Sequence, residues 1–68
     1  MFKKKVRFRC RTERQAIKLG NWFLTSNVEV VEQYKVRNDW YFTAKMDVFD
    51  RILYSTTNIN KSIERSRL

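Results

Sequence analysis

The chain has 68 residues, 43% of them hydrophobic, with five Phe, three Tyr, two Trp, one Gly and no Pro. That is enough apolar material for one small folded domain over residues 1–68, and it leaves no sign of a flexible linker, a disordered segment or a second domain. Fifteen Lys and Arg against seven Asp and Glu give a net charge of +8 and a pI near 10.2, a field that draws polyanions such as nucleic acid, an anionic surface or an acidic protein.

Residues 2–11 alternate with period two and read as a strand. Lys3, Lys5, Arg7, Arg9 and Arg11 share one parity, and Val6, Phe8 and Cys10 the other. Lys4 breaks the rule and is expected at a frayed strand end. In "TERQ", Thr12 is placed to cap the amide of Gln15 while Gln15 reaches back to Thr12, and Glu13 suits the positive end of a helix. That helix runs to about Thr25 or Ser26, with Ala16, Ile17, Leu19, Gly20, Phe23 and Leu24 on one face and Arg14, Lys18 and Asn21 opposite. Gly20 reads as the point where the helix approaches a sheet closely. Asn27 suits a left-handed stop.

"VEVVEQYKV" (28–36) is a second strand in which Val28, Val30, Tyr34 and Val36 share a parity and Glu32 is out of place. "RND" is a turn signal, and "WYFTAKM" (40–46) is a third strand with Trp40, Phe42, Ala44 and Met46 on one face. A three-residue loop, Arg37-Asn38-Asp39, pairs Val36 with Trp40 and Tyr34 with Phe42, so that both apolar sets face one side. A slip of one residue would flip every side chain. Asp47 then caps a last helix with Asp50 in its first turn. Its expected apolar stripe is Phe49, Ile52, Leu53, Thr56, Ile59 and Ile63, weakened at "STTN" (55–58) and followed by a basic tail suited to a last helical turn.

The order is β-α-β-β-α. A right-handed crossover followed by a hairpin sets the third strand between the other two. The expected fold class is α+β, a three-stranded antiparallel sheet with two helices packed on one face. In element order alone it resembles a ferredoxin-like β-α-β-β-α-β unit lacking its last strand.

The residues that usually carry chemistry are scarce. His is absent and Cys occurs once, which removes the commonest general base and metal ligand and points to no enzyme, no cofactor and no metal. Cys10 falls on the apolar parity and reads as core, and a single thiol suits a reducing, cytoplasmic setting. Asp47 and Asp50 are explained by capping, and Glu29 and Glu32 lie on opposite strand faces. No apolar run suits a transmembrane helix or a secretory signal, and neither helix has a spare insertable face for a membrane surface.

The sheet face away from the helices is the informative one. It is expected to carry Lys3, Lys5, Arg7, Arg9 and Arg11 from the first strand, Lys35 from the second, and Tyr41 and Lys45 from the third. Cations follow phosphates and an aromatic on a sheet stacks a base, so this face suits RNA or another single-stranded nucleic acid. The first strand is also an expected sheet edge, where cations discourage strand addition. Trp22, beside Lys18 and off the apolar face of the first helix, either packs at the helix flank or stands exposed as an anchor for a protein partner. The alternative function is therefore a small stand-alone regulator or inhibitor of the phage or mobile-element type, meeting an acidic protein through the basic face, the edge strand or Trp22. A homodimer through the first-strand edge is a further expectation.

Overall fold

The computed structural model describes residues 2–57 and 63–67. Along the chain these form β1 (Lys4–Cys10), α1 (Glu13–Thr25), β2 (Glu29–Val36), β3 (Asp39–Met46), α2 (Val48–Ser55) and β4 (Glu64–Arg67). The fold is α+β, with a four-stranded antiparallel sheet in the order β2-β3-β1-β4. The expected count of three strands is corrected by β4, which pairs with β1 from Val6↔Arg67 to Arg9↔Glu64. β1 is therefore an inner strand over Val6–Arg9, held by β3 on one side and β4 on the other. It offers no free edge there for the expected homodimer.

Local chemistry sets the helix starts. Thr12 is the N-cap of α1, its hydroxyl accepting the Gln15 amide at 3.2 Å. The Gln15 side chain accepts the Arg11 amide at 3.0 Å, one residue beyond the Thr12 amide expected for a capping box. Asp47 and Asp50 close a full capping box on α2 at 2.9 and 3.2 Å. Asn27 follows α1 at φ 57°, the left-handed stop its side chain tolerates.

One face of the sheet and both helices enclose the core. Val6, Phe8 and Cys10 of β1, Phe42, Ala44 and Met46 of β3, Leu19 and Phe23 of α1 and Tyr54 of α2 are buried. Phe8 is the hub. Its ring meets Phe23 edge-on at 5.3 Å and Tyr54 edge-on at 5.0 Å, so one side chain ties β1 to both helices. Removing such a ring costs about 3–5 kcal/mol. Burial alone pushes the Cys10 thiol up to about 11, consistent with its place in the core.

α2 departs from expectation. It ends at Ser55, and the tail read as its last turn includes β4 instead. Its apolar stripe faces outward: Val48, Phe49, Ile52 and Leu53 are all at least half exposed, while Ile59 lies outside the described residues. Tyr54 takes the inward position because its ring fills the slot between Phe8 and Trp22, which turns the rest of the helix around it. Gly20 is also corrected. A side chain there would meet no atom within 4 Å, so no close approach to the sheet requires it.

The β2–β3 hairpin holds the main correction. β2 has a β-bulge between Val30 and Glu32, and its turn is the two-residue Arg37-Asn38, with Val36 opposite Asp39. Arg37 takes φ 57°, a left-handed conformation that costs a non-glycine residue roughly 1–2 kcal/mol. Tyr34 therefore pairs with Tyr41, and Lys35 with Trp40. The extra residue reverses the parity of β2 after Val31. Glu32, Tyr34 and Val36 turn to the open face, and Gln33 and Lys35 turn to the helix face. Glu32 no longer stands at a core position; the bulge is what removes that conflict.

Candidate binding face

The open face can be assembled strand by strand. Tyr34 of β2 and Tyr41 of β3 are cross-strand neighbours, and their rings stack at 5.1 Å with planes 14° apart. Next to Tyr41 in the register comes Arg9 of β1, and next to that Glu64 of β4. The following row runs Glu32, Thr43, Arg7 and Ser66, and the one beyond it Glu29, Lys45 and Lys5. Lys3 stands exposed just before β1, and Lys4 opens the strand opposite Met46.

The cations on this face fall into two groups. Arg9 is committed: its Nε and Nη2 donate to one oxygen of Asp39 at 2.9 and 2.7 Å, and its Nη1 donates to Glu64 at 3.3 Å. The hydrogen bonds to Asp39, then the charge of Asp39, raise the Arg9 pKa further above its already high value. Arg11 donates to the other Glu64 oxygen at 2.9 Å. These contacts brace the Tyr41 end of the face and use up its two arginines. Lys3, Lys5, Arg7 and Lys45 form no ion pair among the described residues. Arg7 Nε and Thr43 Oγ1, on directly paired residues, are both shielded and without a hydrogen-bond partner.

The expected site residues are thus only partly united. Lys3, Lys5, Arg7 and Lys45 share the open face with Tyr41, their cationic heads in no ion pair among the described residues, and Arg9 and Arg11 share it in ion pairs. Lys35 is on the other side, its ammonium 4.6 Å from the centre of the Trp40 ring; the bulge put it there. Trp22 is half-buried, its ring edge-on to Phe23 at 5.6 Å and to Tyr54 at 5.4 Å. It joins the two helices, while Lys18 stays exposed on α1. Sequence reasoning missed Tyr34 as a member of the face. The signal that could have found it was Glu32, since a carboxylate at a core-parity position calls for a shift of parity as much as for a buried charge.

Among the described residues no group of three or more His, Cys, Asp or Glu could hold a metal ion, and no helix is long and apolar enough to cross a membrane. Comparison with protein-family models, with curated proteins and with solved structures finds no match.

Proposed function

We propose that the open face binds single-stranded nucleic acid, RNA foremost. The observation that carries this reading is the stacked Tyr34–Tyr41 pair set beside uncommitted cations on an uncovered sheet. An unpaired base has an aromatic surface to stack on, and the adjoining backbone has Arg7, Lys5, Lys45 and Lys3 to follow. Alternate residues of a strand are about 7 Å apart, a spacing that suits an extended phosphate chain. The strand order β4-β1-β3-β2 with two helices on one face supports reading the fold as ferredoxin-like, an arrangement that leaves one sheet face open to a ligand.

The test is a titration of the protein against a short single-stranded RNA at several salt concentrations, with duplex DNA of the same length as competitor. Four phosphate contacts predict a log-log slope of about −3, from roughly 0.7 released ions per contact on a single strand. A salt-independent affinity, or tighter binding to the duplex, would overturn the reading.

A second reading, a regulator that binds an acidic protein, draws on the outward apolar stripe of α2, in particular Phe49, Ile52 and Leu53. Trp22 supports it less, because its ring is engaged between the helices. Partner capture that survives nuclease and is lost in Phe49→Asp would favour this reading over the first.

A further inference from the structure

The two outer strands of the sheet differ in a way that bears on assembly. β4 is four residues long, reads "ERSR", and is polar throughout. Short, charged edges of this kind resist the addition of another strand. β2 is eight residues long and reads "EVVEQYKV". No described residue pairs with its outer edge, and Val31, Tyr34 and Val36 along it are exposed. Behind it, on the helix face, lies a groove of about 590 Å³ between α1 and β2, lined by Ile17, Gly20 and Leu24 on one wall and Val28, Val30 and Gln33 on the other. Leu24 is 79% exposed and Ile17 56% exposed. An unpaired strand edge with a groove beside it is the arrangement that takes an added strand.

We infer that the added strand is β2 of a second copy of this chain, forming a two-fold dimer with a continuous eight-stranded sheet. The charges select this occupant. Although the chain carries +8 overall, this margin is mixed: Glu13 lines the groove, Glu29 and Glu32 lie toward the start of β2, and Lys35 and Arg37 toward its end. An acidic strand would meet three carboxylates here. An antiparallel copy instead sets the acidic half of each β2 against the basic half of the other, the self-complementarity a two-fold interface requires. The bulge at Val31 confines regular pairing to Glu32–Val36, which centres the axis on Tyr34. Glu32 of each copy then lies opposite Val36 of the other, next to its Arg37.

The contact is small, so association depends on concentration. It also joins the two open faces, with the two tyrosine pairs meeting at the axis. That consequence extends the nucleic-acid reading, but the dimer itself stands on the edge, the groove and the charges.

The decisive measurement is sedimentation equilibrium of the nucleic-acid-free protein over a wide concentration range. The expected mass rises from 8.4 kDa toward twice that value. Val36→Glu, which sets a carboxylate directly opposite Glu32 of the other copy, weakens association by roughly tenfold or more, the scale of one lost packed contact. Leu24→Lys acts in the same direction from the groove, toward which Lys35 of the other copy turns. A second measurement needs no destabilised variant: Tyr34→Cys cross-links to its own copy under mild oxidation, because directly opposed strand residues lie within disulfide range. The native Cys10 is buried and stays out of the reaction. A wild-type monomer at every concentration, a dimer indifferent to both Val36→Glu and Leu24→Lys, or a Tyr34→Cys variant that cross-links no faster than a Lys3→Cys variant would each overturn the inference. None of these outcomes bears on whether the monomer binds RNA.

Discussion

Lys5 and Arg9 lie on the same face of the same strand, four residues apart, yet only one of them is free. Arg9 sits between Asp39 of β3 and Glu64 of β4 and bonds to both. Lys5 faces Lys45 and has no carboxylate within bonding reach among the described residues. The row of five cations is therefore two devices. Arg9 and Arg11 are fastened to carboxylates and hold the aromatic end of the face in place. Lys3, Lys5 and Arg7, joined by Lys45 of β3, are left with unneutralised charge. Period-two alternation decides which face a side chain joins; the strands on either side decide whether its charge is available.

The largest expected effect tests that division directly. Lys5→Glu, Arg7→Glu and Lys45→Glu together should remove three of four phosphate contacts. For the wild type, affinity for single-stranded RNA should fall about 50-fold between 50 and 200 mM salt, and for the triple variant only about 3-fold. At low salt the triple variant should bind far more weakly than the wild type. Neutralising the fastened pair, Arg9→Gln and Arg11→Gln, should leave the salt slope unchanged. Equal losses from both sets would erase the distinction between them.

An alkaline titration probes the helix face of β1, where the Phe8 ring packs against Tyr54. Burial, the first cause, pushes the Tyr54 phenol up from 10.0 to about 12, against a smaller lowering by Arg65. The unfolded chain therefore ionises first as pH rises. The contribution from Tyr54 is fully present below pH 10 and is lost as pH climbs to about 12. The expected loss is roughly 2–3 kcal/mol, read by denaturant unfolding at each pH. In Tyr54→Phe this part of the slope should disappear.

These contrasts also show what a sequence of this kind discloses. β1 and β3 were legible because their apolar and polar residues alternate cleanly against a buried face, as Val6, Phe8, Phe42 and Ala44 do. The caps were legible because Thr12, Asp47 and Asp50 bond to amides only three residues away. β2 was not, since its register depends on one extra residue at Val31 and on Arg37 taking a left-handed turn that its residue type does not advertise. β4 was not, because "ERSR" carries no apolar alternation and owes its place to backbone pairing with β1. The outward turn of α2 depends on Tyr54 finding Phe8, a contact between residues far apart in the chain. The candidate site inherited the same division: the part on β1 and β3 stood in the sequence, while Tyr34 was gained and Lys35 lost through the bulge.

Among the aromatic residues the two halves of the stacked pair should not be equivalent. Tyr34→Ala removes the ring at the sheet margin, and Tyr41→Ala removes the ring of the residue paired with Arg9. Each should weaken RNA binding by about 1–3 kcal/mol, the usual worth of one stacked base, without altering the salt slope. Only Tyr41→Ala should also disturb the fastened end, read as a change in the NMR signal of the Arg9 side chain. An unchanged affinity in both variants would leave the cations as the only binding element and remove the preference for unpaired bases.

The smallest effect is the most direct attempt to turn one kind of cation into the other. Asp39→Asn removes the partner that holds Arg9 by two hydrogen bonds, leaving Glu64, which Arg9 shares with Arg11. Part of the Arg9 charge then becomes available to a phosphate. The salt slope should steepen by up to about 0.7, one further contact on a single strand, with a two- to threefold rise in affinity at low salt. Glu64→Gln should do the same for Arg11. If Asp39→Asn instead weakens binding, the bracing of Tyr41 matters more than the charge it consumes. In that case the ion pairs are part of the binding surface itself, because they hold the stacking ring where a base can reach it.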